Sequence, residues 1–461
     1  MTGPPRPLLA YYGDDFTGST DVMESLARSG LRTALFLRPP APGDLAGRFG
    51  GLQAVGVAGT SRSMSPARME AALPPAFEAL GRLNPSIVHY KTCSTFDSSP
   101  EVGSIGRAIE LGRGCFGEGF VPLVVGAPIL GRYCVFGNLF ASAGGETHRL
   151  DRHPTMRRHP VTPMDEADLR LHLARQTGLP IGLVSVLDLD DPRPGAAWEA
   201  VRAGIDSGAE VQLFDVIDDR HLRRIGEVIW RHASGSPRPV FAAGSSGLEY
   251  ALVAHWRAAG MLPGPGTGPV SPAGPVDRLA VVSGSCSPTT RDQIRQSLRD
   301  GFVGVEVRAD ALIDPARAEG ERVRAVRRGL DGLSGSPGVV VSSAIGPDDP
   351  GIAETLGRGR SLGLSPAEAR DRLGEQLGLI LRELVDAAGL RRVVVAGGDT
   401  SGHAARQLGI DALEFVMPTA PGSPLCRASS GRASVDGLEI VLKGGQVGRD
   451  DYFGKVLRGE P

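Results

Sequence analysis

The chain has 461 residues, with 50 lysines and arginines against 52 aspartates and glutamates and a formal net charge of −2 at pH 7. Its 41% hydrophobic and 22% charged content excludes a wholly disordered chain, and 64 glycines with 36 prolines in no collagen period point to many tight loops. No basic face or stripe suggests nucleic acid, no apolar run nears the ~18 residues that span a bilayer, and the N-terminus carries no secretion pattern, so a cytoplasmic protein without nucleic-acid or membrane partners is expected.

Taken in chain order, short apolar runs alternate with helical patterns. Residues 8–12 read as a strand that ends at Gly13-Asp14-Asp15, followed by a helix with Val22, Leu26 and Ala27 near one face and Gly30 as its stop. Further strands are expected at 33–37, 52–57, 87–90, 121–125, 181–187 and 211–216. Thr162-Pro163-Met164-Asp165 reads as a helix start, with a capping Thr, Pro at the first helical position and an acid in the first turn. Residues 260–275 are almost entirely Gly, Pro and small residues, a composition that breaks helices and strands. They are read as an interdomain linker, with domains at 1–262 and 278–461 joined by 263–277.

Beyond the linker the alternation restarts. A strand at 279–282 runs into Ser283-Gly284-Ser285-Cys286-Ser287, and Pro288 opens a helix that Ser287 would cap. Residues 339–341 form another strand, and Ser365-Pro366-Ala367-Glu368 is a capping box ahead of a long helix. The strand at 393–396 enters Gly397-Gly398-Asp399-Thr400-Ser401-Gly402, and the strand at 440–442 enters Lys443-Gly444-Gly445-Gln446. The pattern predicts an α/β protein of two domains, each a largely parallel sheet flanked by helices.

Open α/β sheets bind ligands in loops at the carboxyl ends of their strands. Asp14 and Asp15 beside a helix start suit proton transfer or polyol orientation, against the alternative of a helix cap and a solvated acid. Strand alternation would point their side chains to opposite sides. Lys91-Thr92-Cys93-Ser94-Thr95-Phe96-Asp97-Ser98-Ser99 offers a cation, hydroxyls and a carboxylate to an anionic, hydroxylated ligand; otherwise it is a turn capping a helix at 100–112. Arg62 could fork onto a carboxylate or simply face solvent. In the C-terminal half, small-residue turns at 283–287, 397–402 and 443–448 expose backbone N–H groups in the manner of a phosphate cradle. The five cysteines (Cys93, Cys115, Cys134, Cys286, Cys426) are scattered, without a C-x-x-C pair, and His148, His153 and His159 match no standard metal spacing; no protein-held metal site is expected. G-x-G-x-x-G at 112–117 follows a helix and precedes a strand, the reverse of the dinucleotide-binding order.

Together, GDDFTGSTDV, YKTCSTFDSS, HPVTPM, VSGSCSP, AGGDTSG, APGSP and LKGGQVG, in this order from Gly13 to Gly448, resemble the four-carbon acid sugar kinases over nearly the whole chain. The resemblance implies an N-terminal acid-sugar-binding domain, a C-terminal ATP-binding domain, an active site in the cleft between them, and ATP with Mg²⁺ as cofactors. Asp14, Asp15, Arg62, Lys91, Ser94, Asp97 and Ser98 match the family's sugar-acid side. Ser283, Ser285, Ser287, Gly397, Gly398, Asp399, Thr400 and Gly445 match its ATP side. Asp399 stands where many relatives carry Glu, and Lys443-Gly444-Gly445-Gln446 where they carry K-S-G-N. The His/Arg-rich stretch 136–164, with the segment CSTFDSSPEVGSIGRAIELG, looks more like the 3-oxo-isoapionate kinases than the 3-oxo-tetronate or D-threonate/D-erythronate kinases. The expected activity is phosphorylation of the terminal hydroxyl of a small acid sugar by ATP, with a homo-oligomer as a further expectation. Competing readings are a non-catalytic sugar-acid-binding protein, separated by ATP turnover, and a nicotinamide oxidoreductase, disfavoured by the missing Rossmann fingerprint.

Overall fold

Each strand expected in the N-terminal half has a counterpart, because residues apolar on both faces are stable only where helices cover both sides of a sheet. The run at 181–187 is strand only over Ile181–Val184 and passes into helix Val186–Asp190 under a Ser185 cap. A computed structural model describes residues 6–45, 47–117, 119–262 and 272–461, which fall into two units, Met1–Thr267 and Gly268–Pro461. The first unit contains β1 (Leu9–Gly13), β2 (Thr33–Phe36), β3 (Ala54–Ala58), β4 (Ile87–Lys91), β5 (Val121–Val124), β6 (Arg132–Val135), β7 (Asn138–Ala143), β8 (Glu146–Arg149), β9 (Ile181–Val184), β10 (Val211–Phe214) and β11 (Val240–Gly244). Eight of these form a parallel sheet in the order β2-β3-β1-β4-β11-β5-β10-β9. β1 and β4 are central, both buried along their whole length, and Gly13 lies opposite Lys91 in register. The carboxyl ends of β1 and β4 therefore open side by side.

The second unit contains β12 (Leu279–Ser283), β13 (Val303–Glu306), β14 (Gly338–Ser342), β15 (Arg392–Ala396), β16 (Ala412–Met417), β17 (Leu425–Ser429) and β18 (Glu439–Lys443). Their order is β13-β14-β12-β15-β18-β17-β16, parallel from β13 to β18 and antiparallel through β17 and β16. Val281, Val340, Val394 and Val441 form one row of the core with Phe302 and Phe453. Each such side chain contributes roughly 1.5–3 kcal/mol by burial.

Several local expectations are corrected. Residues 162–165 do not open a helix: Thr162 donates its backbone N–H to His159 Nδ1 (3.1 Å), its hydroxyl also meets that nitrogen (2.9 Å), and the helix starts at Leu169 under an Asp168 cap. The helix expected from 100 begins at Ile105, capped by Ser104, because Gly103 takes a left-handed φ of 61° and ties its N–H to Met64 O. The antiparallel sheet β6-β7-β8 was not anticipated; its turns Phe136-Gly137 (φ 49°, 80°) and Gly144-Gly145 (φ 60°, 86°) have the positive angles of two-residue hairpin loops. Of the expected linker 263–277, residues 263–271 lie outside the described residues. The rest is fastened to the second unit, with Val276 N–H donating to Leu457 O and Arg392 to Gly274 O, each at 3.0 Å.

Candidate active site

In the first unit, Gly13 ends β1, and the next two residues carry carboxylates. Asp15 takes extended angles and caps helix Phe16–Arg28, its Oδ1 accepting Gly18 N–H at 2.8 Å. Arg62 follows β3, its N–H donating to Asp14 O at 3.0 Å. Its guanidinium donates to Asp14 Oδ1 (2.8 Å) and Oδ2 (3.2 Å) and to Asp15 Oδ2 (2.8 Å). Asp14 and Asp15 thus face one cation rather than opposite sides, since strand alternation ends with β1 at Gly13. Burial pushes the Asp14 carboxyl above its usual range, with Arg62 opposing the shift. Burial lowers the Arg62 guanidinium, but the Asp14 and Asp15 charges outweigh it and hold Arg62 protonated.

Lys91, the last residue of β4, is buried and donates to Thr92 O at 2.9 Å. A Cβ on Gly18 would stand 3.2 Å from Lys91 Nζ and 2.5 Å from Asp15 Oδ1, so this glycine lets the ammonium reach the cap. Asp97 accepts the Thr95 hydroxyl at 2.6 Å. Burial raises its carboxyl, but the Arg62 charge and hydrogen bonds from Thr95 and Cys93 prevail and hold it below the usual range. The Cys93 thiol is pushed up to about 11 by burial and by Asp97, and stays a neutral thiol.

In the second unit, the loops after β12, β15 and β18 meet, since these strands are neighbours and Ser283, Ala396 and Lys443 align in register. A Cβ on Gly284 would overlap Thr400 Oγ1 at 2.2 Å, one on Gly397 would come to 3.5 Å from Ser285 N, and one on Gly445 would fall 2.5 Å from Ser285 Oγ. Ser287 caps helix Pro288–Arg299 by accepting Thr290 N–H at 3.1 Å and donates its hydroxyl to Gly445 O; Thr290 Oγ1 donates to Gly445 O at 2.8 Å. Gly397 (φ 131°) precedes helix Gly398–Leu408 and brings no side chain to cap it. Three backbone-rich turns and a helix N-terminus without a side-chain cap therefore share one small area, the local chemistry of anion binding.

Residues 9–252 match the sugar-binding N-terminal domain family and residues 280–453 the nucleotide-binding C-terminal domain family. A 3-oxo-isoapionate kinase of Paraburkholderia graminis is 47% identical over 98% of this chain and 94% of the relative. The chain belongs to the four-carbon acid sugar kinase family. Family relatives also include 3-oxo-tetronate kinases of Cupriavidus necator (31% identical, 98% of this chain, 97% of the relative) and Pseudomonas fluorescens (33%, 98% and 97%). A tRNA synthase candidate from Salmonella typhimurium LT2 shares the fold, with a TM-score of 0.77 and 24% identity over 98% of this chain and 99% of the other.

Of the sugar-side residues, the kinase fold gathers Asp14, Asp15, Arg62, Lys91 and Asp97, while Ser94 is half-buried at the adjoining turn. Ser98 is turned elsewhere: buried, it donates to Phe96 O and is held by Gln176 Nε2 (2.9 Å) and His172 Nε2 (3.1 Å). Of the ATP-side residues, Ser285, Ser287, Gly397, Thr400 and Gly445 converge. Ser283 lies beneath them, its Oγ accepting Ser285 N–H at 3.3 Å, and Gly398 is exposed at the first turn of its helix. The Asp399 side chain lies outside the described residues.

Two cations were not singled out as site residues from the sequence. Lys443 is fully buried at the end of β18; its Nζ donates to Thr290 Oγ1 at 3.2 Å and lies 5.9 Å from the Tyr452 ring centre. Burial pushes it down to about 8. A lysine ending a strand before two glycines was the available signal. Arg132, on β6, donates through Nη1 to Leu130 O at 2.8 Å, and its Nε is a buried donor without an acceptor among the described residues. No sequence signal marked it, since it reaches this site only through the small antiparallel sheet. His153 and His159 serve as turn acceptors, for Thr155 and Met156 N–H and for Thr162 N–H. Among the described residues no group of three metal-ligating side chains occurs, and no helix is long and apolar enough to cross a membrane.

Proposed function

We propose that this chain is an ATP-dependent kinase acting on the terminal hydroxyl of a small 3-oxo acid sugar, with 3-oxo-isoapionate as substrate and its 4-phosphate as product. The observation that carries the reading is the meeting of the Ser285, Gly397 and Gly445 turns at one helix N-terminus. The substrate is taken from the 3-oxo-isoapionate kinase of 47% identity.

In this reading Lys91 and Arg132 bind the substrate carboxylate, because each retains N–H donors not committed to a carboxylate. Arg62 already serves two acids and organises them. Asp15 is the stronger candidate for accepting the hydroxyl's proton: its side chain is 29% exposed against 5% for Asp14. Asp14 then acts on Arg62, Asp97 orients the sugar, and Ser98 shapes the loop. In the second unit, backbone N–H groups of the three turns hold the polyphosphate, with Lys443 beneath them supplying positive potential. Mg²⁺ would shield phosphate charge in such a reaction, a role in which it usually keeps several waters and takes only one or two protein carboxylates. Five free cysteines agree with a reducing compartment, the cytoplasm.

The test is ADP release coupled to a reporter enzyme, with purified protein and a panel of 3-oxo-isoapionate, 3-oxo-tetronates, threonate and erythronate. The reading expects the highest kcat/KM on 3-oxo-isoapionate. A preference for a 3-oxo-tetronate or threonate overturns the substrate, and no ADP release on any of them overturns the kinase assignment.

A further inference from the structure

β6, β7 and β8 form a sheet of their own, and the stretch rich in His and Arg lies on it and just after it. This small sheet is fastened to the carboxyl edge of the parallel sheet. Arg132 pairs with Ala127, past the end of β5, and Cys134 pairs with Val216, past the end of β10. The buried Asp215 carboxylate holds the first turn by accepting Phe136 N–H (2.7 Å) and Gly137 N–H (2.9 Å). The end of β5 belongs to the edge that bears Lys91, since Val124, Gly244 and Lys91 align in register.

Residues paired across antiparallel strands share a face, as do residues two apart along one strand. Arg132 pairs with Ala141, Ala141 with His148, and Cys134 with Leu139, so these five side chains point the same way. Cys134, Leu139 and Ala141 are fully buried, which makes this the covered face. The small Ala141 side chain leaves room above it for the longer Arg132 and His148. The His148 ring meets the His153 ring edge-on, with centroids 5.9 Å apart. Arg132, His148 and His153 thus form one cluster, and burial with the Arg132 charge lowers the His153 imidazole below its ordinary range.

Hydrogen bonding fixes what the cluster offers. Arg132 Nη1 is anchored to Leu130 O (2.8 Å) and Gly131 O (3.3 Å), which holds the guanidinium while its buried Nε keeps an N–H without an acceptor among the described residues. His153 Nδ1 stands 3.2 Å from both Thr155 N and Met156 N and accepts from each, which assigns the imidazole proton to Nε2. That Nε2–H forms no hydrogen bond among the described residues. Both groups therefore present donors and no acceptor.

We infer that His153 is the specificity residue for the 3-oxo group: its Nε2–H donates to the keto oxygen while Arg132 holds the neighbouring carboxylate. The inference rests on the 3-oxo acid reading of the substrate and adds the residue that separates such an acid from its hydroxy counterpart. In a 3-oxo acid a single carbon lies between the two groups, so adjacent donors serve both. A ketone only accepts, which suits a pair of donors. A hydroxyl in its place brings a proton that neither group accepts, and burying a donor unsatisfied is costly.

Calorimetry of the full chain without nucleotide tests it, with freshly prepared 3-oxo-isoapionate and the 3-hydroxy acids made from it by borohydride reduction. The wild type should bind the 3-oxo acid about 3- to 10-fold more tightly, the scale of one hydrogen bond; equal affinities overturn the inference. His153→Asn keeps a side-chain oxygen for the Thr155 and Met156 N–H groups but loses the Nε2 donor. It should erase that preference by weakening the 3-oxo acid alone, with the ATP KM and melting temperature unchanged. His153→Gln shows the opposite split: it returns an amide donor near the Nε2 position but loses the turn acceptor, so it should melt lower and retain the preference. Arg132→Lys, which keeps the charge but not the forked donors, should weaken both acids alike, by about 10-fold or more. Equal losses on the two acids in His153→Asn, no loss on either, or a preference that follows the melting temperature instead of the donor overturns the inference. ADP release with an indifferent His153→Asn leaves the kinase reading standing without it. A His153-dependent preference without ADP release keeps the inference and overturns the kinase reading.

Discussion

Gly445→Ala places a methyl carbon 2.5 Å from Ser285 Oγ and 3.3 Å from both Cβ and Oγ of Ser287, well inside the ~3.5 Å at which such atoms attract. The Ser285 hydroxyl must rotate and release the Ser287 N–H it accepts at 3.3 Å, a bond worth about 0.5–1.5 kcal/mol. A strained rotamer adds about 0.5–1.5 kcal/mol. The distortion of about 1–3 kcal/mol falls on the junction of the three turns, and at 1.4 kcal/mol per tenfold it predicts an ATP KM raised about 5- to 100-fold. Gly444→Ala is the control: its methyl meets only Val447 Cγ2, at an ordinary 3.4 Å, and neither glycine needs a left-handed φ. The assay is ADP release with ATP and acid sugar varied in turn, with thermal melts to verify folding. Gly445→Ala should move the ATP KM and spare the acid-sugar KM, and Gly444→Ala should move neither. Equal effects of the two substitutions, or unchanged ATP kinetics in a folded Gly445→Ala, would refute the convergence of these turns on the phosphates.

Asp15→Asn keeps an acceptor for Gly18 N–H, so it should keep the melting temperature yet lose about 10²–10⁴ in kcat, whereas Asp15→Ala should also lose about 0.5–2 kcal/mol of stability; near-normal kcat in Asp15→Asn returns the proton to Asp14 or Asp97. Lys443, lowered to about 8 from 10.5 by burial, binds its proton less tightly folded than unfolded, so its charge destabilises the fold by about 3 kcal/mol below pH 8 and progressively less as the pH rises toward 10.5. Lys443→Met should therefore melt higher than the wild type at pH 7, converge with it in alkali, and bind ATP weakly by calorimetry; a Met variant with unchanged ATP affinity removes Lys443 from the site. His172, pushed down to about 4 by burial and by Arg175, supports stability above pH 6.5 and withdraws that support as the pH falls to 4. His172→Gln should flatten the loss of melting temperature across that window, and an unchanged slope rejects a buried neutral histidine. Limited proteolysis should leave fragments close to 1–262 and 278–461, and early cuts within either half would reject the domain boundaries.

What the sequence by itself determined was local. Apolar runs placed the parallel strands, Ser287-Pro288 and Ser365 with Glu368 marked helix starts that the structure keeps, and Gly30, at a φ of 92°, follows the end of the first helix at Arg28. These depend on residues within one turn or one strand, where composition and capping chemistry are sufficient. The turns after β12, β15 and β18 were legible as candidate phosphate loops because glycine and small hydroxyl residues follow apolar runs. Tertiary structure decided which loops meet. Gly445 touches Ser287 across 158 residues of chain, and Arg62 reaches Asp14 across 48, distances over which only strand order sets proximity. It also turned Ser98 toward His172, set Asp14 and Asp15 on one guanidinium where strand alternation had separated them, and placed Arg132 on a small antiparallel sheet. The Gly144-Gly145 turn of that sheet was readable, but its neighbouring strands are short and half-exposed, so their apolar pattern is weak. Lys443 shows the same division: its place at a strand end is sequence, whereas its complete burial without a carboxylate follows from the packing of helices Pro288–Arg299 and Tyr452–Arg458 around it.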